Sequence, residues 1–141
     1  MKQERLRLAR LKRLEKIRGI AKQVAANEAA QAESTLAQLR ALSQRTRSLA
    51  TDYATRREAG DGASLHHLGK FVSGLQAISR TTEGDARRAQ SIADAKMVLL
   101  TEAERRRAAT AERAELQEKM IAKAAQVPVL GGRKPSGTGL E

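Results

Sequence analysis

Two adjacent histidines, His66 and His67, are the side chains of this sequence best suited to bind a metal ion or to transfer protons near neutral pH. On a helix, neighbouring side chains point about 100° apart, so these two do not converge on one ligand. The 141 residues include no cysteine, no Gly-rich phosphate loop and no zinc-site spacing. The sequence therefore predicts a protein that is not an enzyme and that has no metal, cofactor or catalytic site.

The positive charge is unevenly distributed along the chain. The formal net charge is +11. Residues 2–22 hold nine Lys/Arg against two Glu, and residues 102–123 hold six against five, so these two segments account for +8 of the total. Charge of this kind favours an acidic partner, and it belongs to the two ends of the sequence.

The composition is typical of long helices. The aromatic residues are Tyr53 and Phe71, whereas a packed globular domain of this length normally holds several. Ala and Leu supply most of the 40% hydrophobic residues, and 30% of the residues are charged. This balance indicates coiled coil rather than a compact core.

A first long helix is predicted over about residues 3–58, which hold no proline and one glycine, Gly19. Its apolar positions recur at steps of three and four, as in a coiled coil whose register is interrupted. The predicted apolar stripe consists of Leu11, Leu14, Ile17, Ala21, Val24, Leu39, Leu42, Leu49 and Tyr53.

The sequence "EAGDGAS" predicts a break, with a turn over about residues 59–64. Ser64 is the expected N-cap of a second helix over about residues 65–126, which Pro128 is expected to end. Residues 127–141 are predicted to form a flexible C-terminal tail.

Two long helices joined by a short turn lie antiparallel. Pivoting the pair near Asp61 places residues opposite each other when their numbers sum to about 124, so Tyr53 is expected to face Phe71. The predicted fold is all-α, a long antiparallel two-helix coiled-coil hairpin over residues 1–126.

The start of the second helix carries a broad apolar stripe. Two overlapping helical spacings run through Leu68, Phe71, Val72, Leu75 and Ile78. One neighbouring helix covers only a narrow seam, so part of Phe71 or Val72 is expected to stay exposed as a contact site. The alternative is that Phe71 simply fills the seam against Tyr53.

The basic ends leave several kinds of partner open. Nucleic acid is disfavoured, because Glu is interleaved, aromatic residues for base stacking are lacking and no known DNA- or RNA-binding module is present. A membrane surface is disfavoured because the N-terminal leucines are expected in the seam. An acidic protein surface is favoured over both, and over a solvated face with no role. No apolar run approaches the ~20 residues of a membrane span, so we expect a cytoplasmic protein.

A family resemblance rests on three features: "KFVSGLQAI" after the midpoint, a Glu/Arg-rich second arm, and an ending of the type "EKMIAKAAQ…RKP". With these features and its length, the chain resembles the FliJ-type flagellar export proteins and their type III secretion stalk relatives. The resemblance covers nearly the whole chain, mostly as architecture and composition.

The resemblance implies a function in flagellum biogenesis, and through it in chemotaxis. Such proteins form an antiparallel coiled coil similar to the central stalk of a rotary ATPase. The end with both termini inserts into the hexameric ring of the export ATPase, and the other end contacts the cytoplasmic domain of the transmembrane export gate. Some members also handle export chaperones. The implied location is the cytoplasm, peripheral to the inner membrane at the export apparatus.

The resemblance also implies roles for particular residues. Phe71, Val72 and Leu75 match the apolar residues that contact the export gate. Arginines near the termini would face the ATPase ring, by position and charge: Arg10, Arg13, Arg18, Arg106 and Arg113. The alternatives from other classes are a basic coiled-coil protein that binds nucleic acid and a generic structural coiled coil.

Overall fold

The computed structural model of the chain describes residues 1–55 and 61–131, with side chains as far as residue 126. Two helices make up this described part apart from Met1 and Asp61: α1, Lys2–Thr55, and α2, Gly62–Gly131. The predicted all-α fold is confirmed. Residues 56–58 of the predicted first helix, and residues 59 and 60 of the predicted turn, lie outside the described residues.

Helix α2 begins earlier than the sequence predicts, and its N-cap is Asp61 rather than Ser64. The backbone N–H of Ser64 donates to Oδ1 of Asp61 over 2.7 Å, and the N–H of Leu65 donates to the Asp61 carbonyl over 3.1 Å. A carboxylate at this position satisfies an N–H group that has no partner within the helix. Hydrogen bonds from Ser64, first from its backbone and then from its side chain, hold the pKa of Asp61 below its usual range.

Helix α2 also ends later than predicted. It continues past Pro128 to Gly131, and so takes in the first five residues of the segment expected to be a tail. An interior proline removes one backbone hydrogen bond and its ring crowds the carbonyl four residues earlier, at a cost of about 3 kcal/mol, and α2 tolerates this cost close to its C-terminal end. Residues 132–141 lie outside the described part of the chain.

The chain divides into two compact units, each made of a piece of both helices. The central unit is Ala25–Leu100, and the terminal unit is Met1–Val24 with Thr101–Glu141. In the central unit, the contacts Tyr53–Phe71, Arg40–Gln90 and Glu28–Lys96 show numbers that fall on α1 as they rise on α2. The helices are therefore antiparallel, and the predicted hairpin is confirmed.

The seam of the central unit follows a regular heptad repeat. Most of the buried or half-buried residues are spaced by three and four on both helices, which defines the two seam positions a and d of the coiled coil. On α1 they are Ala29, Ala32, Leu36, Leu39, Ser43, Thr46, Ala50 and Tyr53. On α2 they are Leu68, Val72, Leu75, Ser79, Thr82, Ala86, Ala89, Ala93, Lys96 and Leu100.

The structure corrects the predicted stripe of α1 in both units. In the terminal unit Ile17 and Val24, expected to be internal, are 62% and 51% exposed, and Ala21 is exposed as well. In the central unit Leu42 and Leu49 lie outside the seam. The register of the central unit is continuous rather than interrupted. More than half of the seam residues are Ala, Ser or Thr, whose small side chains let two helices pack closely, and several of the larger apolar residues lie beside the seam.

The two buried threonine hydroxyls of the central seam are satisfied within their own helices. Thr46 Oγ1 donates to the Leu42 carbonyl over 2.8 Å, and Thr82 Oγ1 donates to the Ile78 carbonyl over 2.7 Å. This pattern is common for Thr inside helices, and it removes the cost of burying an unpaired polar group. The hydroxyls consequently fill space in the seam without linking the two helices.

The terminal unit has a more polar seam. Gln117 Nε2 donates to the Glu4 carbonyl over 3.3 Å, and Arg18 Nη1 donates to the Arg106 carbonyl over 3.3 Å. Arg107 lies over Gly19, where an added Cβ would be 3.4 Å from Nε of Arg107, an ordinary contact. The approach of this arginine therefore does not require glycine.

Candidate functional site

The aromatic pair of the chain lies in the central unit. The rings of Tyr53 and Phe71 meet edge to face, with centroids 5.0 Å apart and planes at 80°. This confirms the prediction that they face each other. Even so, Phe71 stays 50% exposed, since it directly precedes the seam residue Val72 and lies beside the seam rather than in it. Phe71 therefore both packs on Tyr53 and presents apolar surface to solvent.

The other two residues proposed for the export gate are placed differently. Val72 and Leu75 are seam residues and are half-buried. The structure thus brings Phe71, Val72 and Leu75 onto adjoining positions of α2, but Phe71 is the one with the largest accessible surface.

One side of the central seam is polar. Arg47 forms an ion pair with Glu83, and Arg40 donates a hydrogen bond to the side-chain oxygen of Gln90. All four residues follow a d residue of the seam, at position e, and in an antiparallel pair the e positions of both helices share one side. We call these four residues the polar flank. Its side chains are already paired with each other.

The opposite side of the central seam is apolar. Position g precedes each a residue, and the g positions of both helices share the side away from the polar flank. The apolar flank consists of Leu42, Leu49, Phe71, Ile78, Ile92 and Leu99, each 40–55% exposed. Glu28, Thr35 and Asp85 precede the other a residues of the described seam. The flank is therefore an interrupted line of half-exposed apolar side chains contributed by both helices.

The five arginines proposed for the ATPase ring all belong to the terminal unit, but they do not form one cluster. Arg10 and Arg13 are exposed on the outer face of α1. Arg106 and Arg113 are seven residues apart and are exposed on one face of α2. Arg18 is half-buried in the seam, where its guanidinium binds the Arg106 carbonyl.

The terminal unit keeps an excess of positive charge at its surface. Lys12 pairs with Glu118 over 3.5 Å, and Lys119 pairs with Glu115 over 3.4 Å along α2. These pairs are exposed, so each is screened by water and contributes little to stability. Since segments 2–22 and 102–123 carry +8, the pairs leave a basic surface.

The two histidines lie side by side near the start of α2. Their ring centroids are 6.2 Å apart, and both residues are exposed. Among the described residues, no group of three or more His, Cys, Asp or Glu is placed to hold a metal ion.

Within the described part of the chain, neither helix has a stretch long and apolar enough to cross a membrane. No protein-family model, curated protein or solved structure matches the chain. The resemblance to FliJ-type proteins therefore stays a prediction, as do the partners and residue roles that it implies.

Sequence reasoning missed two features of these surfaces: the apolar flank, which both helices contribute to, and Arg107 lying over Gly19. The signal for the flank was present in the strict seven-residue spacing of Ala29, Leu36 and Ser43. A search for large apolar residues passes over that spacing, because two of these three side chains are small.

Proposed function

We propose that this chain is a non-enzymatic stalk component of a flagellar type III protein export apparatus. Its central unit would bind the cytoplasmic domain of the transmembrane export gate, and its terminal unit would bind the hexameric export ATPase. It would work in the cytoplasm at the inner membrane, and export chaperones are further candidate partners.

The observation that carries the proposal is the placement of Phe71. A half-exposed phenylalanine in an Ala-rich hairpin with two aromatic residues is a suitable anchor for a protein partner, because buried aromatic side chains dominate the energetics of many interfaces. Its edge-to-face contact with Tyr53 limits its motion before binding. Val72 and Leu75 extend the apolar surface next to it.

The charge of the terminal unit supports the second contact. Arg10, Arg13, Arg106 and Arg113 are exposed and directed to more than one side of the unit. A ring-shaped partner with an acidic inner surface surrounds such a unit, so it meets positive charge from several directions. Complementary charge of this kind mainly raises the association rate, and it weakens as salt is added.

The gate contact is tested by measuring the affinity of the purified chain for the gate domain. Replacing Phe71→Ala is expected to weaken binding by at least about tenfold, since truncating a central aromatic anchor commonly costs more than 1 kcal/mol. Leu65→Ala is the matched control, because Leu65 is also exposed near the start of α2. Unchanged binding by Phe71→Ala would remove the gate assignment.

The ATPase contact is tested separately by association kinetics at several salt concentrations. The double variant Arg106→Ala with Arg113→Ala is expected to slow association at low salt, and the difference should shrink as salt rises. Lys70→Ala is the control, as an exposed basic residue of the central unit. Tight and steeply salt-dependent binding to duplex nucleic acid, without binding to the ATPase, would instead favour the nucleic-acid alternative.

A further inference from the structure

The apolar flank is wider than a two-helix hairpin needs. A two-stranded coiled coil uses two apolar lines per helix, at a and d, whereas helices of a larger bundle carry a third line at e or g. Here the third line is at g, and it runs through Phe71, Ile78, Ile92 and Leu99 on α2. The pattern is that of a bundle helix.

Both helices place this third line on the same side. Leu42 and Leu49 supply it on α1, opposite the side where Arg47 pairs with Glu83 and Arg40 with Gln90. One side of the central unit thus holds these polar pairs. The other presents apolar side chains from two antiparallel helices, interrupted by Glu28, Thr35 and Asp85. A partner that covers both helices at once must itself be broad, as a second helical hairpin is.

The exposed area is consistent with an interface between proteins. Six apolar side chains, each about half exposed, offer roughly 500 Å² per copy, so two such faces together approach the ~1,000 Å² at which specific interfaces begin. The polar residues that border the flank add to this area on association.

The charge of the central unit permits two copies to meet there. Residues 25–100 contain ten Lys/Arg and eight Asp/Glu, so this unit is nearly neutral, although the whole chain carries +11. Contact through this unit avoids the like-charge repulsion that the terminal segments would bring.

We infer that the apolar flank is the contact between two copies of this chain, which associate through their central units as a four-helix bundle. The flank of each copy covers the third apolar line of the other. This inference goes beyond the proposed function and does not rest on it. Phe71 belongs to both surfaces, so the tests leave Phe71, Val72 and Leu75 unchanged.

Sedimentation equilibrium of the full chain tests the inference. We expect a reversible dimer, and we expect Ile78→Asp or Ile92→Asp to raise the dissociation constant at least about 100-fold, because a carboxylate would be buried in the apolar contact. Val98→Asp is the matched control: Val98 is exposed on the outer face of the same helix and unit. The helical signal in far-UV circular dichroism, measured at a concentration where all variants are monomeric, shows whether each variant still folds.

Three results would overturn the inference. The first is a chain that stays monomeric up to millimolar concentration. This result would overturn the inference even if Ile78 were found to bind anionic vesicles or another protein. The second is a dimer that both Ile78→Asp and Ile92→Asp leave intact. The third is a dimer that Val98→Asp weakens as strongly as they do.

Cysteine cross-linking locates the contact directly, because the sequence contains no cysteine of its own. Oxidation of a mixture of Ile78→Cys and Leu49→Cys links two copies if the hairpins run in the same direction, because the two-fold axis then places α2 of one copy against α1 of the other. A mixture of Ile78→Cys and Ile92→Cys links them if the hairpins run in opposite directions. Either link supports the contact and gives its orientation, and a dimer that neither arrangement links contradicts it.

Discussion

Tyr53 and Phe71 pack edge to face across the central seam, with their ring centroids 5.0 Å apart. The contact joins α1 to α2 near the described end of α1, beside the seam residues Val72 and Leu75. Since Phe71 is half exposed, the interaction is available both to the fold and to a partner.

A double-mutant cycle measures what this contact contributes to stability. Tyr53→Leu and Phe71→Leu are each expected to destabilise the hairpin, with a coupling free energy of about 0.5 kcal/mol between them. The coupling falls at the low end for aromatic pairs because Phe71 is partly in water. Urea denaturation of the four proteins gives the value, and strictly additive effects would mean that the ring contact is energetically neutral.

Leu36 is expected to be the most sensitive single position of the central unit. It is 2% exposed and packs with Ala89 and Ala93. Leu36→Ala should lower the free energy of unfolding by about 2 kcal/mol or more, since it removes buried apolar volume. Leu42→Ala, on the half-exposed flank, is the control, and its cost for the monomer should be clearly smaller. Equal losses would contradict the assigned seam.

The residue of α2 that packs against Leu36 should not tolerate a larger side chain. Ala93 is fully buried, so Ala93→Leu would force the helices apart and cost about 1–3 kcal/mol. Thermal unfolding followed by circular dichroism measures the loss. A stabilised variant would show that the seam contains unfilled space beside Ala93.

The buried threonines offer a way to stabilise the hairpin. The hydroxyls of Thr46 and Thr82 bond to their own helices, so Thr→Val at both positions removes no contact between the helices and adds apolar surface to the seam. We expect the free energy of unfolding to rise by roughly 0.5–1 kcal/mol per site. Thr51→Val is the control, as Thr51 also bonds to its own helix but is exposed. Destabilisation by the two buried changes would indicate that the hydroxyls act across the seam.

The N-cap of α2 should make stability depend on pH. Ser64 holds the pKa of Asp61 low, so the folded state binds fewer protons than the unfolded state at acidic pH. The contribution of the cap is present above the unfolded pKa of about 3.9 and is lost as pH falls through the lower folded value. Asp61→Asn keeps a capping oxygen without a titrating group. Melting temperatures between about pH 6 and 2 should fall less steeply for Asp61→Asn than for the natural chain.

The hairpin itself was predictable from the sequence, but the side of each helix that faces inward was not. The abundance of helix-forming residues and the glycines around Asp61 were sufficient to predict two antiparallel helices. The position of that break, near the middle of the two predicted helices, was sufficient to predict the Tyr53–Phe71 pairing. The seam was misjudged because the prediction followed Ile17, Leu42 and Leu49 as the largest apolar residues. In a close pair of helices, Ala, Ser and Thr compete well for the interior, because small side chains reduce the distance between the backbones.

The site was predictable only in part, for a related reason. The broad apolar stripe around Phe71 correctly indicated that part of this residue stays exposed. Whether Leu42 and Leu49 lie on the same side as Phe71 depends on which residues line the seam. If other residues are assigned to the seam, every remaining residue of the helix is assigned to a different side. The partners themselves stay a prediction.

The small side chains of the seam also bear on how α1 and α2 find their alignment. A row of Ala, Ser and Thr presents nearly the same outline after a shift by seven residues, so it discriminates poorly between alternative alignments of the central unit. Leu36, seated against Ala89 and Ala93, breaks this sameness. Sliding α1 by one heptad would move a leucine out of the space that fits it. Leu36 therefore fixes the register of α1 against α2 in the central unit. Without it, pairings of the two helices that differ by one heptad should coexist.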